Sequence, residues 1–113
     1  MQFALLIYAP EDTRDEKVLG DITARHIKLA QNLAAEGVAF SGERLKTSAE
    51  ARVATFKGGA HTLHDGPYAE TREQLAGFYI VDVADAEAAM QWAKEIPLQD
   101  GGAIEVRPIW PMR

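Results

Sequence analysis

The sequence predicts one small α+β domain over residues 1–113. The 113 residues are 47% hydrophobic, which is enough for a core without disulfide bonds. A strand–helix–strand pattern occurs twice, over residues 2–42 and 77–109. Between the two patterns, short strand-like runs flank Gly58-Gly59, a pair that is typical of a hairpin turn.

The first pattern begins with residues 3–8, whose apolar side chains alternate onto both faces of a predicted strand. A turn over residues 10–13 leads to a helix over about residues 16–36, which Gly37 is placed to end. Helical spacing directs one stripe toward the sheet, formed by Val18, Ile22, His26, Leu29 and Leu33. His26 is the ionisable residue in this otherwise aliphatic stripe.

The remaining strands are predicted at residues 38–41, 52–56, 61–64, 77–83 and 103–109. A second helix is predicted over residues 86–96, with Asp85 as its N-cap and Pro97 after its last turn. We expect its inner stripe to comprise Ala86, Ala89, Met90, Ala93 and Ile96, with Trp92 at the edge.

This element order predicts a ferredoxin-like sheet with two helices on one face and a β-hairpin insertion. Two helices leave the second face open, although the strands at residues 3–8 and 78–83 carry apolar side chains on both faces. A symmetric homodimer that packs sheet against sheet is the simplest cover.

Composition argues against several classes of protein. The absence of cysteine excludes disulfides, thiol nucleophiles and thiolate metal sites, and we expect a cytoplasmic location. No apolar run approaches the roughly 20 residues of a membrane helix, and no signal-peptide pattern is visible. The net charge of −5 and the absence of a Lys/Arg cluster argue against nucleic acid as a partner.

The candidate site residues His26 and Asp65 each have two interpretations. His26 is either a core histidine satisfied by a backbone carbonyl, or a general acid–base oriented through its second ring nitrogen. Asp65 is the best candidate for the orienting carboxylate, because it ends a strand that could run under the first helix. Alternatively, Asp65 holds an Asx-turn in which Gly66-Pro67 sets the chain direction. Local sequence does not separate these interpretations.

Three further features invite functional interpretations. The segment around Glu73 is typical of a solvated loop, but it would also suit a flap over a pocket beside Asp65. Arg107 either pairs with Glu105 at the sheet edge or clamps an anion in a cleft. The spacing His61-x-x-His64 suggests a metal site, but strand alternation points these rings apart, so we predict no metal.

Three motifs carry a family resemblance: LIY at residues 6–8, DGPYAETREQLAGFY at residues 65–79 and IEVRP at residues 104–108. Over nearly its whole length the chain resembles the DGPF-type branch of the YCII-related proteins. Tyr68 stands where that branch has Phe, and Arg72 where Lys is usual. The resemblance implies a dimeric α/β barrel of ferredoxin-like domains and a His–Asp pair in a cleft. His26 matches the histidine, and Asp65 is the candidate aspartate.

The first functional hypothesis is a small-molecule enzyme of lyase, isomerase or dehydrochlorinase type that needs no cofactor. His26 would transfer a proton and Asp65 would orient its ring. The expected substrate contacts are Tyr8, Tyr68, Glu73 and Arg107. The second hypothesis is a non-catalytic ligand-binding or regulatory accessory protein, for which the resemblance implies an extracytoplasmic-function sigma factor as a partner. The sequence names no substrate.

Overall fold

The computed structural model describes residues 1–11 and 16–111, so the second half of the predicted turn at residues 10–13 lies outside the described residues. In chain order the elements are β1 (Gln2–Pro10), α1 (Glu16–Ala35), β2 (Phe40–Arg44), β3 (Arg52–Lys57), β4 (Ala60–Asp65), β5 (Glu73–Asp82), α2 (Ala86–Ala93) and β6 (Ala103–Pro108). A single 3₁₀ turn, Ser48–Glu50, lies between β2 and β3.

Four strands form one sheet in the order β2-β5-β1-β6, and all three of its pairings are antiparallel. This order and the two helices fit the predicted ferredoxin-like fold. The inserted strands β3 and β4 pair with each other in a separate two-stranded sheet. The two strands of each strand–helix–strand unit are therefore not neighbours in the sheet. β5 lies between β1 and β2, and β1 lies between β5 and β6.

The core lies on the helix-covered face of the four-stranded sheet. Phe3 and Leu5 of β1 and Val81 of β5 are almost fully buried there, against Leu29 and Leu33 of α1. Strand alternation explains which residues of β1 are buried, because every second side chain points to the same face. The predicted inner stripe of α1 is confirmed, since all five of its residues are buried or half-buried.

The end of α1 confirms the role predicted for Gly37. This glycine has a φ of 71°, and its N–H donates to the Ala34 carbonyl at 3.0 Å. The N–H of Val38 donates to the Leu33 carbonyl, also at 3.0 Å. The two bonds form a Schellman motif, which satisfies the last carbonyls of the helix.

The predicted start of β2 at residue 38 is wrong, because the strand begins at Phe40. The N–H of Val38 is already bonded to the end of α1, so pairing with β5 begins two residues later. The predicted end before Gly42 is also wrong, because β2 continues to Arg44. At the other side of the pair, β5 begins at Glu73, four residues before its predicted start at Gly77.

The second helix is shorter than predicted, and its inner stripe is confirmed at Ala89, Ala93 and Ile96 but wrong at Ala86 and Met90, which are exposed. Regular helix ends at Ala93, and residues 94–96 continue as bonded turns. Met90 was predicted to face the sheet, but 46% of its surface is exposed. Trp92 packs against the core instead, together with the buried Ala89 and Ile96. The small side chain of Ala89 lets α2 approach the sheet closely.

The hairpin turn between β3 and β4 is confirmed at Gly58-Gly59. Both glycines have positive φ, 62° and 80°, as a two-residue type I′ turn requires. Lys57 and Ala60 form the adjacent cross-strand pair. At the open end of the hairpin, the Gly66 N–H donates to the Ala51 carbonyl at 2.8 Å.

The second sheet face carries an apolar centre that the described helices leave uncovered. Its half-buried members are Ala4, Leu6, Tyr8, Phe78 and Ile80. On β6 the same face carries Glu105 and Arg107, which pair with Leu6 and Ala4 in the sheet register. We call this surface the open face.

We expect Gly77→Ala to lower the free energy of unfolding by about 1–3 kcal/mol, because overpacking forces backbone to shift. A Cβ at this position would lie 2.7 Å from the Glu43 carbonyl oxygen on β2. The matched control is Gly20→Ala on the exposed side of α1, where a Cβ meets nothing within 4 Å. That control should gain about 0.5–1 kcal/mol from helix propensity. Urea unfolding measures both, and an equal or higher stability of Gly77→Ala would contradict the close packing of β2 against β5.

Candidate functional site

A cavity of about 460 Å³ lies between α1 and the β2–β5 side of the sheet. Its floor is formed by the helix-facing side of the sheet, and its rim by residues 45–47 and 97–99. Its polar groups include His26 and Thr23 of α1, Arg44 of β2 and Tyr79 of β5. Three elements that are distant in sequence therefore contribute polar side chains to one cavity.

His26 forms a direct contact with Tyr79. Its Nδ1 atom lies 2.7 Å from the Tyr79 hydroxyl oxygen. The two rings are stacked, with centroids 5.7 Å apart and an angle of 21° between their planes. His26 follows Ile22 by four residues and precedes Leu29 by three, so the packing of the aliphatic stripe holds its ring over the sheet.

The position of the Tyr79 ring depends on a glycine in the neighbouring strand. Gly42 pairs with Tyr79 across β2 and β5, and a Cβ on Gly42 would lie 2.9 Å from Cδ1 of the ring. The missing side chain lets the ring lie over β2. Near the same end of β5, the register with β1 shifts by one residue between the pairs Ile7–Gly77 and Tyr8–Leu75. Such β-bulges reorient side chains and are common next to functional sites.

Arg44 links the sheet to the helix beside His26. Its Nη1 donates to the Thr23 hydroxyl oxygen at 2.9 Å, and Thr23 lies three residues before His26 on α1. Glu11 contributes a carboxylate to the cavity wall, and this carboxylate accepts hydrogen bonds from the Ser48 N–H at 2.8 Å and from the Ser48 hydroxyl. The Glu11–Ser48 contact attaches the segment after β2 to the end of β1.

Two groups in the cavity have shifted pKa values. Burial lowers the pKa of His26 below its ordinary value of 6.5, and the positive charges of Arg44 and Arg25 lower it further. Burial raises the pKa of Tyr79 above its ordinary value of 10.0. Both shifts favour the neutral forms at neutral pH, so the pair consists of an uncharged imidazole and an uncharged phenol.

The structure gives His26 and Asp65 different partners. Asp65 is the last residue of β4, where it pairs with Arg52, and its Oδ1 lies 3.3 Å from the Arg52 Nε. Its side chain is 89% exposed and does not line the cavity. This ion pair and the bond from the Gly66 N–H to the Ala51 carbonyl hold the end of the hairpin, and the Asx-turn role of Asp65 stays a prediction. The catalytic role of Asp65 stays a prediction.

The four expected substrate contacts lie outside the cavity wall. Tyr8 and Arg107 are on the open face, and the Arg107 Nε lies 3.8 Å from Glu105, which is the ion pair expected from the sequence. Tyr68 is 82% exposed in the loop after β4. Glu73 is half-buried opposite Pro10 at the start of β5. Their substrate-binding roles stay predictions.

Hydrogen bonds from nearby side chains to backbone carbonyls hold the loop at residues 65–71. The Gln74 side-chain amide donates to the Ala69 and Thr71 carbonyls, each at 2.8 Å. The Thr71 hydroxyl donates to the Glu73 carbonyl at 2.7 Å. The polar side chains of Thr71 and Gln74 therefore stabilise the backbone that follows the Gly66-Pro67 turn.

Sequence reasoning missed Tyr79, Arg44, Thr23 and Glu11. A signal existed for Thr23, which lies one helical turn before His26 and therefore on a neighbouring position of the same surface. Tyr79 carried a weaker signal, since its place in a predicted strand did not reveal which helix residue lies above it. Arg44 lies beyond the predicted end of β2, which the structure extends to this residue.

Across residues 1–11 and 16–111, the His, Asp and Glu side chains form no group of three or more that could hold a metal ion. In the same residues, neither helix is long and apolar enough to cross a membrane.

The fold and the cavity define a small α+β protein of ferredoxin-like type. Residues 1–113 match the YCII-related domain. The chain is also similar to an uncharacterized protein of Rhizobium meliloti (strain 1021), with 32% identity over 118 aligned positions that cover 96% of this chain and 92% of that protein. The chain therefore belongs to the YCII-related family, and the predicted resemblance is confirmed at that level.

We expect Arg44→Gln to raise the pKa of His26, because it removes one of the two positive charges that oppose protonation of the ring. An NMR titration of the His26 ring protons measures this pKa. Arg52→Gln is the matched control, since it removes an equal charge from the hairpin, outside the cavity wall. An unchanged His26 pKa in Arg44→Gln would contradict the electrostatic coupling.

The lowered pKa of His26 also makes the stability of the fold depend on pH. The pKa of His26 is lower in the folded chain than in the unfolded chain, so the unfolded chain takes up the proton first as the pH falls. This contribution to the free energy of unfolding is complete above about pH 6.5 and decreases as the pH falls toward the folded-state pKa. Arg44→Gln should reduce this loss of unfolding free energy at low pH, because it brings the folded-state pKa of His26 closer to the unfolded-state pKa.

Proposed function

We propose that the protein is a small-molecule enzyme in which His26 transfers a proton to or from a ligand bound in the cavity. The observation that carries the proposal is the 2.7 Å contact between His26 Nδ1 and the Tyr79 hydroxyl inside a cavity of about 460 Å³. Cavities of roughly 300–1,000 Å³ with a few convergent polar groups are the usual small-molecule sites. A lyase, isomerase or dehydrochlorinase reaction falls within this chemistry.

The His26–Tyr79 contact supports a defined division of roles. We assign the Nδ1 proton to the bond with Tyr79, so that Nδ1 donates and the phenol oxygen accepts. The lone pair of Nε2 is then available to accept a proton from an acidic C–H of the ligand. The Tyr79 O–H remains a donor for the oxygen on which negative charge develops. Because the pKa of His26 is lowered, the ring is unprotonated and able to act as a base at neutral pH.

This assignment differs from the expected His–Asp pair in its orienting group. A tyrosine hydroxyl orients the imidazole without adding a negative charge, so it does not raise the pKa of the ring as a carboxylate would. The neutral partner is therefore consistent with the lowered pKa of His26. Asp65 would join the site only through a contact that is not made within one chain.

We expect the wild-type protein in D₂O to exchange a carbon-bound hydrogen of its ligand for deuterium, because the proposed base removes and returns that proton. Ligands come from a thermal-shift screen of organic acids, ketones and phenols, since binding stabilises the fold. NMR of each hit measures the exchange. His26→Gln should slow the exchange about 10²–10⁴-fold, the usual contribution of a general base. His61→Gln on the exposed hairpin is the matched control and should leave the rate unchanged.

The alternative function is a ligand-binding or regulatory accessory protein that uses the same cavity without chemistry. Hits that stabilise wild-type and His26→Gln equally, and exchange no deuterium with either, would favour this alternative and reject proton transfer. An accessory role with an extracytoplasmic-function sigma factor would additionally require co-purification of that factor in the presence of such a hit. A screen without any hit would contradict both functions of the cavity.

We also propose that the chain belongs to the DGPF-type branch of its family and forms a homodimer through the open face. The segment DGPYAETREQ at residues 65–74 supports the branch. The apolar centre of the open face supports the dimer, because contiguous apolar patches on a sheet are usually covered. Two such faces packed together would form the dimeric α/β barrel.

We expect the wild-type protein to sediment as a dimer and Leu6→Glu as a monomer in analytical ultracentrifugation. The substitution would bury an unpaired carboxylate in the interface, beside Glu105 of its own chain. Ala24→Glu on the exposed surface of α1 adds the same charge and should stay dimeric. Circular dichroism establishes that both variants are folded. A monomeric wild-type protein would reject the sheet-to-sheet dimer.

A further inference from the structure

The charged groups around the cavity differ in how they are satisfied. The Glu11 carboxylate accepts two hydrogen bonds from Ser48. The Lys46 ammonium lies 3.8 Å from the Glu50 carboxylate and is largely exposed. Glu43 also lines the cavity, but it alternates with Arg44 along β2 and pairs with Phe78, so strand alternation assigns its side chain to the open face. Lys46 therefore faces an opposite charge, Glu43 belongs to the other side of β2, and Glu11 is held by two neutral donors on Ser48.

The Arg44 guanidinium has a different environment. Its Nη1 donates to the neutral hydroxyl of Thr23, and within residues 1–11 and 16–111 this contact positions the group without neutralising it. The residue opposite Arg44 in the sheet is Gly77, which has no side chain to pair with the guanidinium. The charge of Arg44 also opposes protonation of His26, so the positive potential extends across the cavity to the proposed base. A ligand anion would complete this site.

Much of the remaining lining of the cavity is apolar. Ile27 of α1, Phe40 of β2, and Leu45 and Leu98 of the adjoining loops line the cavity, and all four are exposed. Leu19 and Ile22 extend the same surface along α1. Exposed aliphatic and aromatic side chains that converge on one cavity favour a ligand with an apolar body.

We infer that the ligand of this cavity is a monocarboxylate with an apolar body, whose carboxylate binds the Arg44 guanidinium and whose apolar part contacts the rim. The inference rests on the proposed assignment of the cavity as the functional site. A guanidinium matches a carboxylate with two parallel N–H donors. Binding by Arg44 would bring the carbon next to the carboxylate toward His26, where removal of its proton is assisted by the donor on Tyr79.

A phosphate monoester fits the same cavity less well. Its charge of about −1.5 to −2 at neutral pH requires more than one cation for compensation. Arg44 supplies one positive charge, His26 is neutral, and the Lys46 ammonium is shared with Glu50. The Glu11 carboxylate in the cavity wall would repel the second negative charge. The charge balance of the described lining residues therefore favours a singly charged anion.

The test compares hexanoate, hexanamide and hexyl phosphate, which share one carbon chain and differ in the charge of the head group. NMR titrations that follow backbone amide shifts measure the dissociation constant of each probe for the full chain. Wild-type protein should bind hexanoate at least about tenfold more tightly than hexanamide, as a charge-assisted hydrogen bond provides. Arg44→Gln should remove this preference and Arg44→Lys should retain part of it, whereas Arg52→Gln should leave it unchanged.

Equal binding of hexanoate and hexanamide by the wild-type protein would overturn the inference, and so would failure of both to bind. A preference that persists in Arg44→Gln would also overturn it, because the anion would then be held elsewhere. Tighter binding of hexyl phosphate than of hexanoate would overturn the carboxylate inference in favour of a phosphate ligand. The wild-type comparison keeps the test decisive if Arg44→Gln does not fold.

The result can be separated from that of the proton-transfer experiment. An Arg44-dependent preference for hexanoate without deuterium exchange in any ligand would retain the carboxylate inference and reject the catalytic function. Deuterium exchange in uncharged hits, without any such preference, would retain the catalytic function and overturn the carboxylate inference.

Discussion

The packing of α1 against β1 and β5 is the interaction on which the rest of this structure depends. Leu29 and Leu33, one helical turn apart, are buried against Phe3, Leu5 and Val81. These contacts fix the rotation of the helix as well as its distance from the sheet. Because His26 lies on the same stripe, its ring has little freedom to leave the sheet surface. The buried leucines lie toward the C-terminal end of α1, and most of the helix residues that line the cavity precede them.

The cavity exists because the packing is incomplete at one end of the same interface. Toward the end of β2, Gly42 and Gly77 replace side chains that would otherwise fill the space under the helix. The backbone of β2 approaches β5 closely there, while the helix face above carries Thr23 and His26 among its apolar side chains. Polar residues are tolerated at this position because they bond one another, as His26 does with Tyr79 and Thr23 with Arg44.

Sequence reasoning succeeded where a structural element is determined by neighbouring residues. The inner face of α1 follows from its period, and the end of that helix follows from the positive φ of Gly37. The turn at Gly58-Gly59 has the same local origin. The boundaries of β2 and β5 were less predictable, because strand ends depend on which backbone groups are already bonded elsewhere.

The partner of His26 could not be predicted from local sequence. Tyr79 lies 53 residues further along the chain, and it faces the helix only because of the register between β5 and β1. Asp65 seemed the better partner because its motif is conspicuous in sequence and because β4 was expected to run under α1. Pairing of β4 with β3 in a separate sheet instead places Asp65 beside Arg52. The one-residue shift in register near Gly77 leaves no recognisable pattern in a single sequence.

The separate β3–β4 hairpin has a consequence for how this domain responds to change. Its strands are bonded to each other, and their side chains are mostly exposed. An isolated two-stranded hairpin is only marginally stable, so the segment is able to open locally while the four-stranded sheet stays intact. Its tip is accordingly a place where the chain tolerates an inserted sequence or a proteolytic cut at little expense to the core. The hairpin and the cavity can therefore diverge independently during evolution, although they are joined by only a few residues.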